Sequence, residues 1–250
     1  MVRFSIGDTM GVETAGAPLE FTPRFDITGP AVTVAEYSDM AGRERLLGWT
    51  FGSTQWLWAE TDDVHFDADS RELAGVRFAV PTRSTTTAHR LPDGPPIHPS
   101  GLRADSTHPF DLPQTTVFHY DPEPAELRCA QTPDLLAAVP DARIGIARDL
   151  TLLVHEGRMT GWTLTNAAHH LTHGLTDPDP APPSPATRLR LAECLALISE
   201  PLVDEVMDEN PGAWRALRTT EQALRAQQDD RTRANVLHQL INRLIEDYEP

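Results

Sequence analysis

The sequence predicts an α+β protein: an antiparallel, β-rich body with a C-terminal helical unit packed on it. Over residues 1–176, short β-branched and apolar runs alternate with turn residues, as in antiparallel strands. Over residues 186–250, apolar residues recur with a period of about 3.6, as in amphipathic helices. Residues 177–185 between them contain five prolines. Because proline fixes φ and lacks a backbone donor, this segment is predicted to be a semi-rigid linker.

The body is predicted to consist of short strands separated by turns. Their predicted bounds are residues 19–27, 31–37, 45–51, 55–60, 64–67, 73–80, 114–120, 144–147, 150–155 and 159–165. Residues 81–113 hold seven prolines and show little periodicity. A loop of that length is uncommon in a compact domain and is usually functional or disordered. This segment is therefore expected to be the most mobile part of the body.

Two stretches of the body resemble each other. Residues 58–78 and residues 146–164 both follow the order strand, strand, turn, strand. Each last strand carries a glycine, Gly75 or Gly161, two residues after an apolar position, and a glycine inside a strand indicates a bulge or a close backbone approach. The pattern predicts a repeated β-hairpin unit that pairs two halves of one sheet. The alternative, that antiparallel hairpins simply look alike, stays open.

The helical unit is predicted to contain four helices. Pro201 interrupts the first, and Ser199 is predicted to cap the second, over residues 202–207. Asn210 and Pro211 end the second helix and open the third. Asp230 is predicted to cap the fourth. One face of that helix is apolar and is expected to dock on the protein's own core: Val236, Leu237, Leu240, Ile241, Leu244, Ile245 and Tyr248.

The basic residues are unusual, because all 21 of them are arginine and the chain contains no lysine. This composition excludes a Schiff-base lysine, a lysine nucleophile and a phosphate-loop lysine. Two explanations remain open. One is codon bias, which the 22 prolines also suggest. The other is selection against modification of lysine amines.

The formal net charge of −16 bears on the class of partner. It argues against nucleic acid, because phosphate binding needs clustered cations, and it disfavours anionic membranes. It permits steering toward a basic protein partner, or it reflects a surface that is only solvated. No apolar run approaches the ~20 residues of a membrane helix, and residues 1–8 lack a secretory apolar stretch. Cys129 and Cys194 imply no disulfide framework. The predicted location is the cytoplasm.

The first candidate site is a histidine group for a metal ion. His169 and His173 are four residues apart and would share a face of a helix, with His170 between them and His155 nearby in sequence. Neutral imidazole is a common zinc ligand, and three imidazoles plus water form a hydrolytic geometry. The pattern lacks the glutamate of a zincin motif. Exposed histidines beside the linker are the alternative interpretation.

The second candidate site lies on a predicted strand. Asp63, His65, Asp67 and Asp69 alternate with apolar residues, so they are expected to point to one face. Such a cluster suits a metal ion or a general base, with His65 and Asp67 as the candidate catalytic residues. The same three carboxylates, Asp63, Asp67 and Asp69, are the candidate contacts for a basic partner. The alternative is the solvated face of an antiparallel sheet.

Two classes of function follow from these observations. Motifs for common nucleophiles, dinucleotides and phosphate loops are absent from the sequence, and no cofactor is assigned. The first hypothesis is an acidic protein-binding or accessory module, of an immunity or regulatory type, that engages a basic protein. The second is a metal-assisted or general-base enzyme acting on a small molecule, with the proline-rich residues 81–113 as a lid.

Overall fold

The computed structural model describes residues 1–53, 61–85, 91–123 and 125–248. The described chain forms two sheets and a C-terminal helical region packed on them, which confirms the α+β prediction. The strands are β1 (Arg3–Ile6), β2 (Met10–Thr14), β3 (Arg24–Asp26), β4 (Ala31–Val34), β5 (Thr50–Gly52), β6 (Asp63–Asp67), β7 (Leu73–Ala79), β8 (Ile97–Pro99), β9 (Leu102–Ala104), β10 (Val117–Asp121), β11 (Glu126–Ala130), β12 (Ala142–Ala147), β13 (Leu150–His155), β14 (Arg158–Leu164) and β15 (Leu171–Thr172). The α-helices are α1 (Met40–Trp49), α2 (Pro133–Ala137), α3 (Pro185–Leu197), α4 (Leu202–Met207), α5 (Pro211–Ala226) and α6 (Arg231–Tyr248).

The two sheets are mainly antiparallel. The larger one has the order β8-β12-β13-β14-β1-β2-β9, and β14 also pairs with β11, which pairs with β10. The smaller one has the order β15-β3-β4-β7-β6-β5. Three pairs are parallel: β1 with β14, β8 with β12, and β15 with β3. In each parallel pair one strand, β1, β8 or β15, has only two to four residues, so the sheets remain largely antiparallel in character.

The fold contains an internal duplication. Residues 24–79, here called unit 1, pair in the order β3-β4-β7-β6-β5, with α1 between β4 and β5. Residues 117–164, called unit 2, pair in the order β10-β11-β14-β13-β12, with α2 between β11 and β12. The strand order and the place of the helix are the same in both units. The resemblance therefore extends beyond the hairpin that the sequence shows.

The registers of the two hairpins agree in detail. In unit 1, His65 pairs with Gly75 next to a bulge. In unit 2, Leu153 pairs with Gly161 next to a bulge. A Cβ atom on Gly161 would lie 2.2 Å from the carbonyl oxygen of Cys129, so this position admits only glycine. The repeated hairpin is present, but its two copies lie in different sheets, so the expectation that they form two halves of one sheet is wrong.

Each unit is extended at its edge by the segment that follows the other unit. After β7, residues 83–85 run beside β10: the Thr85 amide donates to the Phe118 carbonyl at 2.9 Å, and the Phe118 amide donates to the Arg83 carbonyl at 3.0 Å. After β14, strand β15 pairs with β3, where Leu171 lies opposite Phe25. The outer edges of β3 and β10 are thereby covered, which pairs backbone groups that would otherwise be unpaired.

The main hydrophobic core lies between the sheets and extends under the helices. Phe78 of unit 1 stacks on Trp162 of unit 2 with ring centroids 5.5 Å apart, and both side chains are fully buried. The same cluster includes Leu191 of α3, Leu217 of α5 and Ile241 of α6. The apolar face of α6 docks on the protein's own core, as predicted, because its residues are buried or partly buried in this cluster. Among the described helices, none is long and apolar enough to cross a bilayer.

Several local predictions for the helical unit need correction. Ser199 does not cap the second helix, because its hydroxyl donates back to the carbonyl of Leu195 in the preceding helix. The carboxylate of Asp230 accepts hydrogen bonds from Arg233 at 2.9 Å and from the Ser184 amide at 3.1 Å. It therefore links α6 to the start of α3. Asn210 does cap α5, since its side chain accepts from the amide of Gly212.

The strand predictions for the body were partly wrong. Residues 45–51, predicted as a strand, belong mostly to α1, because Asp39 caps a helix there by accepting from the Gly42 amide at 2.6 Å. Residues 81–113 contain β8 and β9 and are not a continuous loop. Strands β1, β2, β11 and β15 were not predicted. The strand predicted over residues 55–60 lies outside the described residues.

Candidate functional site

The histidine group does not form the predicted arrangement. Residues Ala167–His170 form a single 3₁₀ turn and are followed by β15, so His169 and His173 share no helical face. His173 is exposed, whereas His170 is fully buried. The rings of His169 and His170 meet edge to face at 5.3 Å. Burial, followed by the charge of His170, lowers the pKa of His169.

His170 is a structural anchor between the two units. Its Nδ1 lies 3.1 Å from the carbonyl oxygen of Pro23, and its Nε2 lies 3.0 Å from a carboxylate oxygen of Asp149. Each ring nitrogen of His170 therefore faces an oxygen atom of another residue. Burial opposes ionisation of Asp149, but the hydrogen bond and charge of His170, together with hydrogen bonds from Thr165 and Asn166, outweigh it and lower the pKa of that carboxyl. This pairing leaves no imidazole nitrogen of His170 for a metal ion.

His155 lies apart from the other histidines, at the end of β13. Its Nδ1 lies 2.6 Å from the hydroxyl of Thr160, and its buried Nε2 has no partner among the described atoms. In the part of the chain that the structure describes, no three His, Cys, Asp or Glu side chains are grouped so that they could hold a metal ion. The structure therefore does not bring the four histidines together.

The strand with the second candidate site, β6, is covered rather than solvated. Asp63 and His65 do share a face, as the alternation predicts, but α1 lies over that face. Asp63 is only 8% exposed, so its assignment to a solvated surface was wrong. The physical reason is that residues 45–49, expected to form a strand, belong to the helix that packs across β6 and β7.

Asp67 and Asp69 lie at the end of β6, outside the helix. Asp67 accepts hydrogen bonds from the amides of Asp69 at 2.9 Å and Ser70 at 2.6 Å, which form the β6–β7 turn. The Ser70 amide is the main reason that the pKa of Asp67 is lowered. Asp69 is exposed. One of these carboxylates therefore stabilises a turn, and both are accessible from solvent.

The covered face of unit 1 holds a cluster of ionisable side chains, here called the α1 cluster: Tyr37, Arg43, Asp63, His65 and Arg77. Arg43 of α1 forms an ion pair with Asp63 at 3.5 Å. Arg77 lies opposite Asp63 on β7 and donates to the carbonyl of Thr61 at 3.3 Å. Burial raises the pKa of Asp63, and the charges of Arg43 and Arg77 oppose that rise.

The remaining members of the α1 cluster are neutral groups held between cations. Burial, with the nearby charge of Arg43, lowers the pKa of His65 to about 4. Burial raises the pKa of Tyr37, against the charges of Arg43, Arg24 and Arg77. The guanidinium of Arg24 lies 5.7 Å from the centre of the Tyr37 ring. Shifted pKa values in a concave setting are a physical signature of functional sites.

The α1 cluster opens into a groove. The groove has a volume of about 530 Å³ and runs between the start of α1 and the segment after β15. Tyr37, Arg43 and Arg77 line both this groove and a small cavity under the helix that reaches Asp63 and His65. This size is within the range of small-molecule sites, roughly 300–1,000 Å³.

No protein-family model, curated protein or solved structure matches this chain. The site is therefore defined by its geometry alone.

Sequence reasoning found Asp63 and His65 but missed Tyr37, Arg43 and Arg77. One signal for Arg77 was available, since pairing the two strands of the predicted hairpin places Arg77 opposite Asp63. Arg43 could be found only if α1 were recognised. Its capping residue, Asp39, was the local signal for that helix.

Proposed function

We propose that this protein is an acidic binding module that engages a basic protein partner through exposed carboxylates. The observation that supports the proposal is the acidic segment, residues 200–209. It holds five carboxylates and no basic residue. Asp204, Asp208 and Glu209 are exposed, and no arginine or histidine of the described chain lies within ion-pairing distance of them. Unpaired surface carboxylates attract a basic partner over a distance of about a Debye length.

The expected contact residues differ from the three carboxylates predicted from the sequence. Asp63 is paired with Arg43 beneath α1 and is not available to a partner. Asp67 and Asp69 remain accessible, but Arg71 and Arg103 lie at the same corner, and Arg103 pairs with Glu72 at 3.1 Å. The acidic segment contains no arginine or histidine that would offset the charge of its carboxylates. We therefore place the main contact on the acidic segment and a secondary one at Asp67 and Asp69, in a cytoplasmic protein with two buried, unpaired cysteines.

The alternative is an enzyme acting on a small molecule. One observation favours a small-molecule site, namely the α1 cluster with its shifted pKa values and adjoining groove. The metal-assisted form of this alternative finds no ligand group among the described residues. The general-base form would use His65, which burial keeps neutral but whose lowered pKa, about 4, makes it a weak base.

The test is capture of partners from cells of the source organism at low and at high salt, followed by association kinetics with each purified partner. We expect a partner of basic isoelectric point whose association rate falls steeply with salt, because electrostatic steering is screened. The variant Asp204→Arg, Asp208→Arg and Glu209→Arg should associate at least roughly tenfold more slowly, since steering raises association rates by about 10–1,000-fold.

The matched control reverses three exposed carboxylates elsewhere, Glu20, Glu44 and Glu123. It changes the net charge by the same amount, so it distinguishes the effect of the acidic segment on the association rate from the effect of the net charge. If both variants slow association equally, the acidic segment is not the contact. If no basic partner is retained at low salt, the proposed function is wrong.

A further inference from the structure

The duplication supplies an internal comparison for the α1 cluster. The pairing registers make Asp63 equivalent to Thr151 and Arg77 equivalent to Thr163. Counted from the capping residues Asp39 and Thr132, Arg43 of α1 corresponds to Leu136 of α2. Thus the same fold carries an ionic cluster in unit 1 and neutral or apolar residues in unit 2.

In unit 2 the helix packs by hydrophobic contact. Leu136 is buried against Val117 and Ala130, and Leu91 covers the group. Thr151 and Thr163, which pair across β13 and β14, are almost fully buried and uncharged. Unit 2 shows that this architecture is built without charges at these positions. Burying ions costs free energy that a well-packed neutral group does not incur. The fold therefore does not require ions at these three positions, although unit 2 also buries an ion pair, Arg128 with Glu126, where Arg128 lies opposite Thr163.

The connection that leads into the helix also differs. From Val34 to the cap Asp39 it has two residues more than from the equivalent Cys129 to the cap Thr132. Tyr37 lies within this longer connection and lines the groove. Unit 1 therefore carries both cations and an aromatic hydroxyl at the same opening.

We propose that the groove of unit 1 binds a small organic anion, whose carboxylate or phosphate is held by Arg43 and Arg77. Asp63 forms its ion pair with Arg43, whereas Arg77 donates to the neutral carbonyl of Thr61, so the guanidinium of Arg77 keeps donors for a ligand. Planar guanidinium groups match carboxylate and phosphate oxygens.

The other carboxylates of the groove are engaged with local groups. Asp39 accepts the Gly42 amide at 2.6 Å, and Asp26 accepts the amide and hydroxyl of Thr28 at 3.0 and 2.7 Å. Met40, 59% exposed, and Leu175 line the wall and offer contact to an apolar body on the ligand. The ligand is therefore an anion with an apolar part, which distinguishes this site from the acidic segment.

The test uses calorimetry on the whole chain with four probes. Benzoate and phenyl phosphate combine an anionic group with an aromatic ring. Inorganic phosphate has only the anionic group, and benzyl alcohol has the ring without a charge. We expect saturable binding of benzoate or phenyl phosphate, weaker binding of phosphate, and none of benzyl alcohol. The relative affinity of the two aromatic anions shows whether the site prefers a carboxylate or a phosphate.

The decisive variant carries the unit 2 residues: Arg43→Leu, Asp63→Thr and Arg77→Thr. Its thermal midpoint should be unchanged or higher, while affinity for the aromatic anion should fall by roughly tenfold or more, as expected for lost hydrogen bonds to charged groups. The matched control, Arg103→Leu, Glu72→Thr and Arg3→Thr, makes the same charge change at exposed positions and should bind normally.

Two results would overturn the proposal. One is the absence of saturable binding of either aromatic anion to the parent protein. The other is equal binding by the folded unit 2 variant. If that variant does not fold, nuclear magnetic resonance of the arginine side chains in the parent protein decides. Benzoate or phenyl phosphate should shift the Nε signals of Arg43 and Arg77 and leave that of Arg103 unchanged, and the reverse pattern contradicts the site.

Discussion

At the scale of single residues, buried charges organise the connections between elements. Arg233 of α6 is fully buried, pairs with Asp230 at 2.9 Å, and donates to the carbonyls of Asp179 at 2.6 Å and Ala181 at 2.7 Å. One guanidinium thus ties the proline-rich segment to the last helix. Arginine suits this role because its fork presents several donors in fixed directions.

We predict that Arg233→Ala destabilises the protein by about 3–5 kcal/mol, the range for breaking one side of a buried pair. The loss has two causes, because Asp230 loses its partner and two carbonyls lose their donor. Denaturant unfolding measures it. Arg231→Ala, at an exposed position two residues earlier, is the control and should stay within roughly 0.5 kcal/mol of the parent. Similar effects for both variants would show that Arg233 does not anchor the segment.

A second residue-scale prediction concerns His65, whose pKa is lowered to about 4 by burial and by Arg43. As pH falls below the ordinary value of 6.5, the unfolded chain takes up a proton that the folded chain refuses until about pH 4. Stability is therefore lost as pH falls through this window. His65→Leu, which places the unit 2 residue there, should reduce that loss by on the order of 2 kcal/mol.

The measurement is the free energy of unfolding of parent and variant between pH 7.5 and pH 4.5. The difference between the two is the diagnostic quantity, because Asp62 acts in the opposite direction. Burial raises the pKa of Asp62 to about 6, so its contribution to stability grows as pH falls. Parallel pH profiles for parent and variant would mean that His65 titrates normally.

At the scale of elements, periodicity identified the helices better than it identified their ends. The apolar stripe of α6 predicted its buried face, and Leu240 is 5% exposed within the core. The first helix of the body, α1, was missed because its sequence has little amphipathic pattern and its buried face meets polar side chains. Capping chemistry at Asp39 was the better signal there.

We predict that Leu240→Asp costs about 3 kcal/mol or more, because it places an unpaired charge in the core. Gln239→Asp, on the exposed face of the same helix, is the control and should cost less than about 1 kcal/mol. Thermal and denaturant unfolding report both values. A melting temperature of the Leu240 variant within a degree or two of the parent would show that this face of α6 is not part of the core.

At the scale of the whole molecule, the two units depend on each other. The segment after each unit lies along the edge strand of the other, and Phe78 and Trp162 stack between them. The arrangement resembles domain swapping between two subunits, but here both units belong to one chain. The assignment of residues 1–176 and 186–250 to separate parts stays a prediction, and the shared core is the relevant structural fact.

We therefore predict that residues 1–110 do not fold alone. That fragment contains unit 1 but lacks β15, which covers the edge of β3, and lacks Trp162. It should show no cooperative unfolding and poorly dispersed amide signals in nuclear magnetic resonance. The full chain, measured alongside, should unfold in a cooperative transition. A cooperative transition for the fragment would show that unit 1 is an independent domain.

The sequence by itself determined the α+β class, the repeated hairpin, the apolar face of α6 and the negative net charge, because local periodicity and composition encode these features. It also placed Asp63 and His65 on one face of a strand. Only the tertiary structure decided that α1 covers that face, that His170 pairs with Asp149, and that the two units exchange their edge segments. These features depend on which distant surfaces meet, and alternation along one strand fixes only the side to which each residue points.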